Sequence, residues 1–310
     1  MTPSTGARPC PGAKSSPSSS APCWAMEAHL KEAALREVAR IARREARNFY
    51  FAFLTLPREQ RLAVYSLYAF FRRADDIADG PGALEGKRRA LAALEAGISS
   101  PGEDPVLLAL AWAQEKFSIP HELLRAVIAG VELDLTKDRY ETFDELREYC
   151  WHVASAVGLT VLRVLGAPEE ATPAGERFGI GMQLVNIIRD VKEDLARGRI
   201  YLPQEDLARF GVSQAELEAG AVTEGVRGLL SYQAKRAEGY LSAVNELLPL
   251  VPRRGRPCIG ILAALYGTIL RRIRARDYDV FSERISLSSW EKLGIAWRAG
   301  WRSRSGAVSW

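Results

Sequence analysis

From residue 26 onward, apolar residues recur at intervals of three and four through FYFAFLTLPREQRLAVYSLYAFFRRADDIAD, ELREYCWHVASAVGLTVLRVLG and RFGIGMQLVNIIRDVKEDL. That period marks helices burying one face, and no run of alternating β-branched residues predicts a sheet. Pro57, Gly80-Pro81, Pro101, Pro105, Pro120, Pro168, Pro173, Pro203, Pro249, Pro252 and Pro257 punctuate the pattern at intervals mostly of helix length, which predicts about ten to twelve helices. No linker or composition shift divides residues 26–310, so a single all-α domain is expected. Helices of about 20 residues span about 30 Å, enough to enclose an extended hydrocarbon chain.

Residues 1–25 break the pattern. They hold five of the sixteen prolines and six serines with almost no charge, so they read as a low-complexity, disordered extension. No apolar core of a secretory signal is present. A Ser-rich organellar transit peptide and a true start at Met26 are the two readings of this segment.

The periodic stretches carry a repeated acidic pair, D-x-x-x-D, as Asp75/Asp79 and as Asp190/Asp194. At i,i+4 on a helix two carboxylates point the same way and can share a hard cation. Mg²⁺, with Mn²⁺ as a substitute, is the expected ion, because it bridges carboxylates to phosphate oxygens. Two such helices facing each other would make a site for a diphosphate. Arg72 and Arg189 lie within a turn of each pair. A third pair, Asp134/Asp138, sits beside Lys137 and Arg139 at the polar end of a predicted helix and reads as a solvated charged face. Asp76 is expected to face away, since i and i+1 do not share a helix face.

Composition narrows the classes. The chain has 310 residues, 47% apolar and 26% charged, and no apolar run approaches the roughly 20 residues needed to span a bilayer. A net charge of +4 is too balanced for a nucleic-acid binder. The four Cys and three His never cluster at ligand spacing, which argues against zinc and a disulfide framework and fits a cytoplasmic location. The C-terminal WEKLGIAWRAGWRSRSGAVSW combines Trp290, Trp297 and Trp301 with Arg298, Arg302 and Arg304. It reads either as a helix docked on the domain or as an interfacial helix making peripheral membrane contact, or as contact with another enzyme.

Between the acidic stretches, Tyr149, Val153, Val157 and Val161 recur every four residues, flanked by the small Ala154, Ala156 and Gly158. Either tight helix packing or a cavity lining fits this pattern. Phe49, Tyr50, Phe51 and Phe53 read as core unless the reaction makes carbocations, whose charge an aromatic face stabilises.

These residues carry a resemblance. YCWHVASAVG (149–158) and GIGMQLVNIIRDVKEDLARGRIYLP (179–203) resemble, nearly position for position, the two signature segments of the squalene/phytoene synthase family. RRADDIAD resembles its first aspartate-rich motif, and NFYFAFLTLP the segment ahead of it. The resemblance implies an isoprenoid-synthase-like helical domain around a central apolar cavity, joining two allylic prenyl diphosphates head to head. It implies Asp75, Asp79, Asp190 and Asp194 as metal carboxylates, with Asn186 as a neutral oxygen ligand. Arg72 is implied as a diphosphate clamp, with Arg189, Tyr266 and Arg284 as further contacts; a surface role for Arg284 is the alternative. Gln183 and Tyr149 are expected near the reacting carbons, and Phe49, Phe53, Tyr68, Ala154, Val157, Gly158 and Val161 along the hydrocarbon. One departure is Glu45, where family members often have His. Phosphate contacts there would fall to Arg43, Arg44 or Arg47.

DLTKDRYETFDELREYCWHVA and YDVFSERISLS resemble the phytoene-forming branch more than the squalene-forming one. The resemblance therefore implies two C20 geranylgeranyl diphosphates as substrates, with no NADPH. Dehydrosqualene or squalene synthesis from C15 farnesyl diphosphate is the nearest alternative, and a non-catalytic assembly factor the other.

Overall fold

The structure, a computed structural model, describes residues 23–303; residues 1–22 and 304–310 lie outside it, as do the side chains of 23–28, 47 and 48. The expectations for the start of the extension and for Arg304 therefore fall outside the described residues. Helix α1 begins at Cys23, three residues before the boundary read from the sequence.

Among the described residues the chain forms α1 (Cys23–Glu45), α2 (Arg47–Phe53), α3 (Arg58–Asp79), α4 (Leu84–Ser99), α5 (Pro105–Phe117), α6 (His121–Leu133) and α7 (Phe143–Cys150). A π-helical turn, Trp151–Ser155, leads into α8 (Ala156–Leu165), followed by α9 (Thr172–Arg189), α10 (Val191–Ala196), α11 (Gln204–Arg209) and α12 (Gln214–Glu218). The last four are α13 (Glu224–Leu241), α14 (Val244–Leu250), α15 (Arg256–Ala275) and α16 (Ser289–Arg302). The only pairing of strand type among the described residues is a single parallel bridge, Arg139 with Ile200.

Pro105, Pro173 and Pro257 open helices, where a missing N–H costs nothing. Among the described residues, sixteen α-helices stand where ten to twelve are expected, because several breaks carry neither Pro nor Gly. The break at Asp190 is one. Its φ of −102° and ψ of 16° kink the predicted single helix into α9 and α10, yet the Asp194 amide still donates to the Asp190 carbonyl at 2.9 Å.

Helix α9 runs through the core, packed on α13, α8, α15 and the π-turn, while α3 packs on α1, α5, α6 and α8. Gly179 sets the approach to the π-turn. A Cβ there would stand 2.8 Å from the Ser155 Cα, so only glycine lets α9 lie against the π-turn. Ser155 Oγ donates to the Glu176 carbonyl at 2.7 Å and Trp151 Nε1 donates to the Glu176 carboxylate at 2.8 Å, which fixes the turn to α9. Cys150 and Cys258 are buried and free.

Candidate functional site

Asp79 is the last residue of α3, Asp134 caps the C-terminus of α6, and Asp190 caps the C-terminus of α9. Each helix C-terminus carries a partial negative charge, so these three carboxylates stand where their ionised forms are least welcome. With Asp75 and Asp194 they line one cavity of about 130 Å³, together with Gln183, Asn186, Arg197, Arg199 and Tyr201.

The proton affinities report that crowding. Burial, and then the charge of Asp79, push the Asp75 carboxyl up to about 7. Asp75 still meets water inside the cavity, so it is crowded by protein without being sealed off. Burial, and then Asp190, push Asp194 up to about 7 as well. Four of these carboxylates, Asp75, Asp79, Asp190 and Asp194, with two side-chain amides around one small space are the donor set of a divalent cation such as Mg²⁺ or Mn²⁺, so the residues fit the metal. Among the described residues, however, no three acidic, His or Cys side chains are gathered closely enough to hold one ion as they stand. Guanidinium groups occupy two of the aspartates instead. Arg197 and Arg199 reach Asp79 at 3.1 and 3.3 Å, and Arg189 and Arg284 both bind Asp190.

The Arg284 contact brings the loop after α15 over the acidic end. Its Nη2 lies 2.8 Å from Asp190 and its Nε 3.3 Å from Glu193, and Lys192 Nζ donates to the Phe281 carbonyl at 2.6 Å to anchor the same loop. Arg72 pairs with Asp76 at 2.8 Å. Asp76 lines neither cavity, whereas Arg72 lines the second.

The second cavity, about 350 Å³, is predominantly apolar. Phe49, Phe53, Tyr68, Ala154, Val157, Gly158, Val161 and Tyr266 line it, so α2, α3, α8 and α15 all contribute. Phe49 stacks on Phe53 with ring centroids 6.1 Å apart and meets Tyr68 and Tyr266 at 6.5 and 6.4 Å. Burial pushes the Tyr68 phenol up to about 12 and raises that of Tyr266, so both stay protonated. The cavities share Asp75, Gln183 and Asn186, and Asn186 Nδ2 donates to Gln183 Oε1 at 3.1 Å across the junction.

Two sequence readings are corrected. Asp134 is no solvated surface acid: it lines the acidic cavity, and only Asp138 of that pair is exposed. The signal lay in α6, where Leu124, Val127, Ile128 and Val131 form the buried stripe that position 134 continues at helical spacing. The four-residue series Tyr149, Val153, Val157, Val161 is not one line either. The valines face the apolar cavity, but Tyr149 lines neither cavity and instead donates to Asp134 at 2.9 Å. The π-turn's wider winding at Trp151–Ser155 takes Tyr149 off the valine face.

Arg197, Arg199 and Tyr201 line the acidic cavity and were missed as site residues, although they follow Asp194 within one turn and loop. At the Glu45 position, Arg44 pairs with Glu45 at 2.6 Å and Arg43 is held by Tyr50; neither lines a cavity. The Arg47 side chain lies outside the described residues.

The squalene/phytoene synthase family profile matches residues 42–291. The chain is 37% identical over 271 residues to the phytoene synthase of Mycobacterium tuberculosis, covering 86% of this chain and 90% of that protein. It is 34% identical over 283 residues to the 15-cis-phytoene synthase of Synechococcus elongatus, covering 86% and 92%. Among solved structures, a dehydrosqualene synthase bound to a ligand superposes with a TM-score of 0.82 at 29% identity, over 90% of this chain and 99% of that one. Squalene synthase HpnC from Alicyclobacillus acidocaldarius superposes with a TM-score of 0.75 at 30% identity, over 80% and 96%. By profile match, by identity to these relatives and by fold, the chain belongs to the squalene/phytoene synthase family.

Proposed function

We propose that this protein is a 15-cis-phytoene synthase of carotenoid biosynthesis, condensing two geranylgeranyl diphosphates head to head through a cyclopropylcarbinyl diphosphate. One observation carries this reading: a carboxylate cavity and an aromatic-lined apolar cavity open into each other at Asp75, Gln183 and Asn186. A prenyl diphosphate has the same two halves. The phytoene synthase relatives at 34–37% identity support the C20 substrate over C15.

Bound Mg²⁺, or Mn²⁺ in its place, supplies Lewis-acid neutralisation of the departing diphosphate, and Asp75, Asp79, Asp190, Asp194 and Asn186 would hold it. Arg72, Arg189 and Arg284 bind the diphosphate oxygens, with Tyr266 beside them. Ionisation of the first substrate breaks its C–O bond and leaves an allyl cation. Phe49, Phe53 and Tyr68 turn aromatic faces to that charge. Val157, Gly158 and Val161 keep water from quenching it. The double bond of the second substrate attacks the cation and loses a proton to close the cyclopropane. Ionisation of that second diphosphate, rearrangement and loss of another proton give the conjugated triene.

The test is conversion by purified protein. With Mg²⁺, geranylgeranyl diphosphate and no NADPH, a C40 hydrocarbon is expected. A C30 product from farnesyl diphosphate alone would assign the protein to dehydrosqualene synthesis, and no product from either would favour a non-catalytic role.

We further infer a cytoplasmic protein that touches the membrane surface, where its substrate tail and product both partition. No helix among the described residues is long and apolar enough to cross a bilayer. Helix α16 turns Ile295, Ala296 and Ala299 to the core and leaves Trp290, Trp297 and Trp301 at 83%, 77% and 76% exposure. Arg298, beside Trp297, is exposed as well, the composition of an interfacial helix. Trp297→Ala with Trp301→Ala should abolish binding to anionic vesicles; unchanged partitioning would assign this face to a protein partner.

A further inference from the structure

Of the five aspartates around the acidic cavity, Asp134 has both carboxylate oxygens committed to phenols. Tyr201 donates to Oδ1 at 2.8 Å and Tyr149 to Oδ2 at 2.9 Å. The rings of Tyr149 and Tyr201 stack with centroids 5.2 Å apart, and Tyr140 stacks on Tyr201 at 5.9 Å. Tyr149 is 3% exposed and Tyr201 7%, and the two phenol oxygens lie 3.4 Å from each other, a longer contact than either makes to Asp134. The Asp134 backbone carbonyl also accepts from Arg199 Nη2 at 3.0 Å, while Nη1 of the same guanidinium reaches Asp79 at 3.3 Å. Just beyond, the Ile200 amide donates to the Asp138 carbonyl and the Gln204 amide to the Tyr140 carbonyl, both at 2.9 Å. The segments 134–140 and 199–204 are thereby zipped together.

We propose that Asp134 is a positioning residue for the condensation, acting through Tyr201 and Tyr149 rather than as a metal ligand. Its carboxylate accepts the hydrogen bond of each phenol, so Tyr201, which lines the cavity, turns an oxygen lone pair rather than a proton toward the reacting groups. The same residue holds Arg199 at the cavity wall through its carbonyl. An amide at position 134 would offer one acceptor and one N–H₂ donor in the same volume. One phenol would then have to reverse its proton, and the polarity of the wall would change without a cavity or a clash.

The inference rests on the proposed condensation, and the experiment separates the two. Asp134→Asn, the pair Tyr149→Phe with Tyr201→Phe, and the triple variant are compared with wild type in the full-length chain. The readouts are kcat and KM for geranylgeranyl diphosphate, Mn²⁺ affinity by electron paramagnetic resonance, and thermal midpoint. Asp134→Asn should lower kcat on the order of 10²-fold, the loss typical of a misplaced reacting geometry, with KM, Mn²⁺ affinity and midpoint little changed. In the Phe/Phe background it should add nothing, because groups acting through one another are non-additive. Equal losses in both backgrounds would overturn the proposal. So would weakened Mn²⁺ binding, which would make Asp134 a ligand, or a midpoint that falls with kcat. Should Asp134→Asn fail to fold, an unimpaired kcat in the Phe/Phe variant would overturn it alone. Absence of C40 product from wild type overturns the proposed condensation itself.

Discussion

At the acidic end, five aspartates and the C-termini of three helices converge on a cavity of about 130 Å³, whereas the adjoining cavity offers about 350 Å³ walled by aromatic rings and small aliphatic side chains. The first is organised by charges that need a partner, and four arginines supply one where they can. The second has ring faces and a glycine that leaves space open. Their union at Asp75, Gln183 and Asn186 fits the proposed condensation, in which a cation is generated where the diphosphate departs and protected where water is scarce.

The sharpest way to break this division is to remove a carboxylate from each aspartate pair. Asp75→Ala and Asp190→Ala should each lower kcat on the order of 10³-fold, the scale of losing a group aimed at developing charge, as measured by release of diphosphate. Filling the apolar end should instead change which substrate is used. A Cβ at Gly158 meets nothing within 4 Å, so Gly158→Leu should cut kcat/KM for the C20 diphosphate at least about tenfold and spare the C15 one. Its thermal midpoint should not fall, since Leu favours a helix interior over Gly. Equal losses on both substrates would mean that the hydrocarbon does not lie along α8.

Gly179→Ala tests the scaffold that holds the two ends in register. With Ser155 backbone 2.8 Å from the new Cβ, it should destabilise the fold by about 1–3 kcal/mol, read by denaturant titration. A smaller effect is expected from pH. Asp75 and Asp194 rise from 3.8 unfolded to about 7 folded, so the folded state binds more protons between those values and stability falls as pH rises through 7. Water reaching Asp75 reduces the effect. In metal-free protein the thermal midpoint should be higher at pH 6 than at pH 8, and Mg²⁺ should narrow the gap.

Much of this site was legible in the chain because its chemistry follows helical spacing. Asp75, Asp79, Asp190, Asp194, Gln183 and Asn186 stand at fixed intervals on α3, α9 and α10 and converge as read. Val157, Gly158 and Val161 follow α8 into the apolar cavity in the same way. What escaped depended on departures from that spacing or on tertiary contacts. The π-turn, which has no Pro or Gly of its own, rotated Tyr149 away from the valines. Asp134 was masked by Lys137 and Arg139, although the buried stripe of α6 leads to it. Arg197 reaches Asp79 across 118 residues of chain, a contact no local pattern encodes.

The account's central claim is that one substrate occupies both cavities at once, and anomalous diffraction tests it most directly. Crystals grown with Mn²⁺ and a thiodiphosphate analogue of geranylgeranyl diphosphate should show manganese among Asp75, Asp79, Asp190 and Asp194, with the C20 chain running past Phe49 and Gly158. Manganese or diphosphate bound elsewhere, or a hydrocarbon chain outside the Phe49–Tyr68–Val161 cavity, would contradict it.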